Sequence, residues 1–298
     1  MILVSGASGF VGGHLVPRLL SRAQQVVVLT RDARKARRRL GPQVRIVTGL
    51  ETIDSATDID AIVNLAGAPI LGFPWTRARR ALLVDSRVGT TRALVALAGR
   101  LARPPRTLIS ASAIGYYGVR GDEALDEHAP PTADFQSRLC QQWEAAADAG
   151  ARLGMRVVKL RLGLVLGRDG GSLPQLARPH RLGLGAVLGS GAQWMSWIHI
   201  EDLLRLFELA LDNPQVQDAV NAVSPNPLTH QQMQRAIADT LHRPLWLRVP
   251  AFVVRAGLGE MAQLLVDGQR VMPNRAVALG FEFRYPRAAE ALENLLGG

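Results

Sequence analysis

An α/β fold, a doubly wound parallel sheet with a smaller mixed C-terminal lobe, is the architecture the sequence predicts, and three observations predict it. Short β-branched runs alternate with helical stretches through the first two thirds of the chain, as parallel βαβ units require. A glycine-rich turn falls between the first such strand and the first helix. The last quarter is punctuated by Pro225, Pro227, Pro244, Pro250, Pro273 and Pro286 into short segments that suit a separate lobe.

The elements follow in order. Strands are expected at 1–5, 25–30, 44–48, 61–65, 107–110 and 156–161, each a short apolar run. Helices are expected at 12–21, 33–40, 77–100 and 135–153, where apolar residues recur at the spacing of a face packed on a sheet. From 163 to 191 the composition shifts to glycine and leucine with little periodicity, as in a chain that leaves its sheet to build one wall of a cleft. A βα pair returns at 197–211, with a further strand at 219–223. The expected division is a first domain over 1–162, rejoined by 196–224, and a smaller lobe from 163–195 and 225–298. No internal repeat, heptad or low-complexity segment is present.

Composition narrows the function classes. With 298 residues and a 48% apolar share, the chain buries roughly three quarters of its unfolded surface, so a disordered chain is excluded. The single cysteine, Cys140, rules out an internal disulfide or a multi-thiolate zinc site and favours a reducing compartment. Residues 1–4 enter a strand with no basic leader before them, and no apolar run reaches the roughly 18 residues that span a bilayer. A cytoplasmic protein with no membrane partner is the expectation. The formal charge of +10 comes from 35 basic and 25 acidic side chains, with only Lys35 and Lys159 as lysines. The densest run, Arg31, Arg34, Lys35, Arg37, Arg38 and Arg39, lies in no helix-turn-helix, zinc-finger or RNA-stacking motif, so nucleic acid is not an expected partner. Were it one, salt-dependent duplex binding would follow.

The strongest motif is Ser5-Gly6-Ala7-Ser8-Gly9-Phe10-Val11-Gly12. Its glycines allow a tight turn, a close approach of backbone to a diphosphate, and close packing of helix on strand. The following helix N-terminus presents free amides and partial positive charge to an anion. Gly6, Ser8, Gly9, Phe10, Val11 and Gly12 are therefore the first candidate cofactor residues. The spacing is GxxGxxG rather than GxGxxG.

This loop resembles that of the extended short-chain dehydrogenase/reductases, the NAD(P)-dependent epimerase/dehydratase family. Asn64-Leu65-Ala66-Gly67 looks like the family's segment after the fourth strand, Ser110-Ala111-Ser112 like its serine strand, and Ser196 to Asp202 like its returning strand. The run Ser112 to Gly118, Trp143-Glu144, Met272-Pro273 and Gly280 to Phe283 are similar to an atypical branch. Its members are called epimerase-family proteins, sometimes carry a cell-division-inhibitor label, and end in a short domain of unknown function. The resemblance covers nearly the whole chain. It implies a Rossmann domain, a nicotinamide dinucleotide held also by Leu65, Ala66, Gly67 and Ser110, a small-molecule substrate between two lobes, and a homodimer built on helices 77–100 and 135–153.

The nucleotide is read at the end of the second strand, where an acidic side chain holds the ribose of NAD. Here stand Thr30 and Arg31, with Arg34 or Lys35 one turn on, so NADP(H) is expected, while Asp32 keeps NAD(H) open. Related reductases use a serine, a tyrosine and a lysine four residues later, the lysine lowering the pKa of the phenol. The helix expected to carry the pair has Gln136 and Cys140 at those places. Ser112, at the C-terminal end of a strand, is the remaining catalytic candidate, and Tyr116 in the loop beyond is the candidate proton donor or else an aromatic wall. Arginines 77, 79, 80 and 87 offer contacts to an acidic or phosphorylated substrate. Lys159, Arg161 and the His199 to Asp202 segment read as structural, Asp202 as a helix N-cap, and no metal is expected. Two classes stand: an NADP(H)-binding oxidoreductase or epimerase acting on a carbonyl or sugar-nucleotide-like molecule, or an NADP(H)-sensing module that regulates a protein partner.

Overall fold

The computed structural model describes residues 1–71 and 74–297. Its centre is a seven-stranded, all-parallel sheet. Five strands are β1 (Ile2–Ser5), β2 (Val26–Leu29), β3 (Arg45–Val47), β4 (Ala61–Asn64) and β5 (Thr107–Ala113); Arg156–Leu162 and Asp218–Ala222 complete it. The spatial order runs β3, β2, β1, β4, β5, Arg156–Leu162, Asp218–Ala222. The order reverses between β1 and β4, and in open α/β sheets that is the crevice at which ligands bind, beyond the strands' C-terminal ends.

Side-chain alternation builds the two covering layers. Val4, Val28, Val63, Ile109 and Val158 face one way, against α1 (Phe10–Ser21), α2 (Ala33–Leu40) and α7 (Ile200–Asp212). Leu3, Val27, Ile62, Leu108 and Val157 face the other, against α4 (Thr90–Arg100) and α5 (Phe135–Asp148). Helix α2 starts where Asp32 accepts a hydrogen bond from the Lys35 amide and stops at Gly41, whose φ is +77°.

The expected single helix 77–100 is three pieces in one path: α3 (Arg77–Val84), a π turn at Asp85–Gly89, and α4. The wider turn inserts one residue, which swings Ser86 and Arg87 onto the loop after β4. The 163–191 stretch is more regular than its composition suggested. It holds the strand Leu164–Gly167, helix α6 (Leu173–Arg181) and the strand Ala186–Leu188. The strand Trp197–His199 pairs with Leu164–Gly167 and not with the large sheet. The smaller lobe gathers α6 and α8 (His230–Thr240) with the C-terminal helix Ala288–Leu296 around Trp197, Met233, Ile237 and Leu292. No helix among the described residues is long and apolar enough to cross a membrane.

Candidate functional site

The glycine loop sits at the switch point. Gly6 has φ +70°, and a Cβ there would run into the Leu65 carbonyl, so the loops after β1 and β4 are packed backbone to backbone. A Cβ on Gly12 would lie 2.5 Å from the Ala7 Cα. Gly9 precedes α1 with no side-chain cap, which leaves the first-turn amides of Phe10, Val11 and Gly12 for an anion. The Phe10 ring itself is used elsewhere. It packs on the glycine hairpin at 167–171 and edge-on to His14, with centroids 5.0 Å apart.

At the end of β2, Asp32 spends its carboxylate on capping α2, and its amide donates to Thr30 Oγ1 at 3.2 Å. Arg31 and Lys35 are exposed beside it. Arg39, from the last turn of α2, folds back over the glycine loop: its Nη1 donates to the Ser8 carbonyl at 3.3 Å, and its guanidinium fills the space a side chain on Gly13 would take. The end of β2 therefore presents Arg31, Lys35 and Arg39 around Asp32, one of whose carboxylate oxygens caps α2.

Beneath the crevice, Asn64 ties the strand ends together. It accepts from Ser5 Oγ at 2.6 Å and donates to Thr91 Oγ1 at 2.8 Å and to Ser110 Oγ at 3.4 Å. Ser110, expected as a cofactor contact, is 1% exposed and donates to the Ala111 carbonyl, so its hydroxyl supports the crevice from below. The loop Leu65 to Ala68 is fastened by the π turn. Ser86 Oγ accepts from the Ala68 amide at 3.0 Å, and Arg87 Nη2 donates to the Ala68 carbonyl at 3.0 Å. Burial lowers the pKa of Arg87, and a Cβ on Gly67 would lie 3.2 Å from its guanidinium carbon.

The structure gives Ser112 a different partner from a substrate carbonyl. Ser112 Oγ donates to Glu144 Oε1 at 2.7 Å, and Arg161 holds both oxygens of Glu144 at 2.8 and 2.9 Å. Burial works against the Arg161 charge, but the hydrogen bonds and charge of Glu144 outweigh it and raise its pKa. Arg161 also donates to Tyr117 Oη, which donates in turn to Asn221 at 2.6 Å. Burial pushes the Tyr117 phenol up to about 12. Tyr116 stacks on the Arg161 guanidinium, 3.5 Å from ring centre to carbon, and does not line the cavity described next. Gln136 does, with its amide against Gly115. Cys140 is buried, and desolvation first and the Glu144 charge second push its thiol up to about 12, so it stays a thiol.

A cavity of about 590 Å³ opens from the C-terminal ends of the strands into the cleft between sheet and smaller lobe. Ala113, Ile114 and Leu162 form its floor, α6 one wall and α8 another. A second hollow of about 540 Å³, beside Ser190, Thr229 and Asp239, shares none of these residues.

The model of the NAD dependent epimerase/dehydratase family matches residues 2–223, and that of a domain of unknown function, DUF1731, matches 249–295. This chain belongs to the NAD dependent epimerase/dehydratase family. It is 37% identical to the chloroplastic epimerase family protein SDR39U1 homolog of Arabidopsis thaliana over 301 aligned residues, covering 99% of this chain and 86% of that one. The crystal structure of human epimerase family protein SDR39U1 with NADPH superposes with a TM-score of 0.88 at 32% identity, covering 100% of this chain and 99% of that one. UDP-glucose 4-epimerase of Thermotoga maritima with UDP-glucose shares the fold, at 18% identity and a TM-score of 0.79, covering 98% of this chain and 96% of that one.

Within this epimerase-family chain, several expected polar contacts turn out to be structural. Arg79 donates to the Pro69 carbonyl, Arg80 to the Trp75 carbonyl at 3.2 Å while pairing with Glu260, and Arg87 to Ala68, so these three fix the loop after β4 and do not line the cavity. Lys159 Nζ meets Asp148 at 2.7 Å. The N-cap of α7 is His199, whose Nδ1 accepts from the Glu201 amide, and not Asp202. Asp202 is buried and accepts from the Arg284 and Tyr285 amides at 2.7 and 2.8 Å. No cluster of three metal-ligating side chains forms among the described residues. Arg87 was expected as a substrate contact and instead holds the loop after β4, while Arg39 was expected only as part of a basic run and lies over the glycine loop. The spacing of Arg39 to Asp32, two helical turns, was the available signal.

Proposed function

We propose that this protein is an NADP(H)-dependent oxidoreductase or epimerase that acts on a small carbonyl compound held in the cavity between its lobes. The observation that carries the reading is the charge at the end of β2. Asp32 is committed to the α2 cap, while Arg31, Lys35 and Arg39 surround the place of the adenosine ribose. A 2′-phosphate would meet guanidinium forks there, whereas the Asp32 carboxylate that would grip an NAD ribose is drawn by one oxygen onto the α2 cap. The glycine cradle fits a dinucleotide, since side chains at Gly6 or Gly12 would clash with backbone. Gly6, Gly9 and Gly12 would hold the diphosphate with the amides of α1, and Leu65, Ala66 and Gly67 would flank it. When bound, the nicotinamide supplies a hydride donor or acceptor.

The chain's own residues then divide the remaining work. Arg87, packed against Gly67, brings a half-buried cation to the loop after β4. Gln136 offers an amide that orients a carbonyl without titrating. Ser112, through Glu144, fixes the strand end that floors the cavity, and Tyr116 is the aromatic wall over Arg161. The human structure with NADPH supports the cofactor assignment. Calorimetric titration of nucleotide-free protein with NADPH and NADH tests it. NADPH is expected to bind at least tenfold tighter, and Arg31→Ala and Arg39→Ala each to weaken NADPH about tenfold while sparing NADH. Equal affinities in the parent protein would defeat the assignment.

A second reading, a nucleotide-sensing module, is favoured by one observation: Gln136 and Cys140 stand where the proton-transfer pair belongs, and Tyr117 is locked in a buried network. It requires NADPH binding without carbonyl-dependent NADPH oxidation.

A further inference from the structure

We infer that the cavity selects an uncharged, largely apolar ligand and rejects nucleoside-diphosphate sugars. The inference rests on the cavity being the substrate site of the proposed enzyme, and it concerns what that site can hold. Its volume, about 590 Å³, is in the range of a site for a compact small molecule. Among the described residues no arginine or lysine lines it, although the chain carries 35 such side chains. Its polar lining is mostly amides, including Gln136, Gln175, Gln234 and Gln269, which pair with hydroxyl or carbonyl groups and leave a diphosphate's charge unneutralised.

The electrostatics go further than a missing cation. Asp267 lines the cavity, and its ion partner Arg255 approaches at 3.1 Å from outside the lining. A pyrophosphate brought alongside would be desolvated next to a carboxylate with no cation in the lining itself to pair with it. His230, the other titratable lining group, sits in the first turn of α8 beside His180, and burial keeps it neutral. Arg270, the cation beside the lining, lies over the Trp194 ring 4.8 Å from its centre and is not itself a lining residue. The rim is apolar as well: Val119 and Leu184, both lining residues, are 41% and 57% exposed. Exposed aliphatic side chains at an entrance suit a ligand that buries alkyl or aryl surface.

The test compares two probes by calorimetry, on protein loaded with NADPH and on nucleotide-free protein: 2-decanone, an uncharged ketone with an alkyl chain, and UDP-glucose. The ketone is expected to bind at least tenfold tighter than UDP-glucose in the loaded protein. Leu176→Arg, which brings a cation to the α6 wall, should weaken the ketone at least tenfold, with a cooperative thermal melt reporting that the variant folds. Absence of ketone binding to the parent protein, or UDP-glucose binding as tightly or tighter, overturns the inference. The two readings fail separately. Ketone binding without NADPH binding sinks the cofactor assignment and leaves the cavity inference standing, while NADPH binding with preference for UDP-glucose does the reverse.

Discussion

Ser112, Glu144 and Arg161 are 3%, 6% and 4% exposed, so their mutual hydrogen bonds are made where water cannot replace them. Removing Glu144 or Arg161 leaves the other charged and buried, which is far more costly than the pair's net worth. Glu144→Gln is expected to destabilise the fold by about 3 to 5 kcal/mol in denaturant unfolding, through the unpaired Arg161. Ser112→Ala should cost about 1.5 to 3 kcal/mol, the range for a hydrogen bond to a charged group, and leave NADPH affinity unchanged. A large loss of turnover from Ser112→Ala with no change in stability would instead give the hydroxyl a direct part in the chemistry. The histidines report on pH. Burial, with a smaller push from His180, holds His230 near 4, against about 6.5 in an unfolded chain, and burial lowers His199 in the same direction. Between those values the unfolded state binds more protons, so the contribution is complete above pH 6.5 and disappears as pH falls toward 4. For His230 alone it amounts to about 3 kcal/mol. Thermal melts from pH 7.5 to 4.5 should show this fall, and His230→Gln should flatten it.

At the scale of elements, the glycine loop is the clearest case of sequence dictating conformation. Gly12→Ala is expected to abolish measurable NADPH binding, because its methyl group needs space that the Ala7 backbone fills at 2.5 Å. Dye-monitored melting together with the calorimetric titration would separate lost binding from lost folding. The loop was legible because its function is local, a turn and a helix start within eight residues. The bounds of α2 were legible for the same reason, with Asp32 and Gly41 as its stop signs. The π turn at Asp85–Gly89 was not, since apolar spacing averages over one inserted residue. Nor was the partner of Trp197–His199, because a three-residue strand carries no mark of which sheet it will join. Arg39 looked like one cation in a solvated run, and only the closeness of α2 to α1 turns it toward Ser8.

At the scale of the molecule, the C-terminal segments are built into the rest of the chain: Ala276 and Phe281 join the core on one face of the sheet. Ala288, Ala291, Leu292 and Leu295 of the C-terminal helix pack against Trp197, Met233 and Ile237, and the strand Arg270–Val271 pairs with Ala124–Leu125 beyond β5. A chain truncated at residue 248 is therefore expected to lose its cooperative melt and to bind a hydrophobic dye, while retention of the parent transition would mean that the sheet folds alone. One cavity wall, from 163–191, was legible as a chain leaving its sheet, but the lining as a whole was not, because it joins segments far apart in the chain. That pairing has a consequence for synthesis. Strands from β1 to Asp218–Ala222 can assemble as they leave the ribosome, but Asp202 finds its partners at Arg284 and Tyr285, and Asn221 donates to the Met272 carbonyl. Until those segments are translated, the Asp202 carboxylate and an apolar cleft stand open to solvent. The nascent protein is thus most exposed to chaperones and proteases until residues 272–285 emerge.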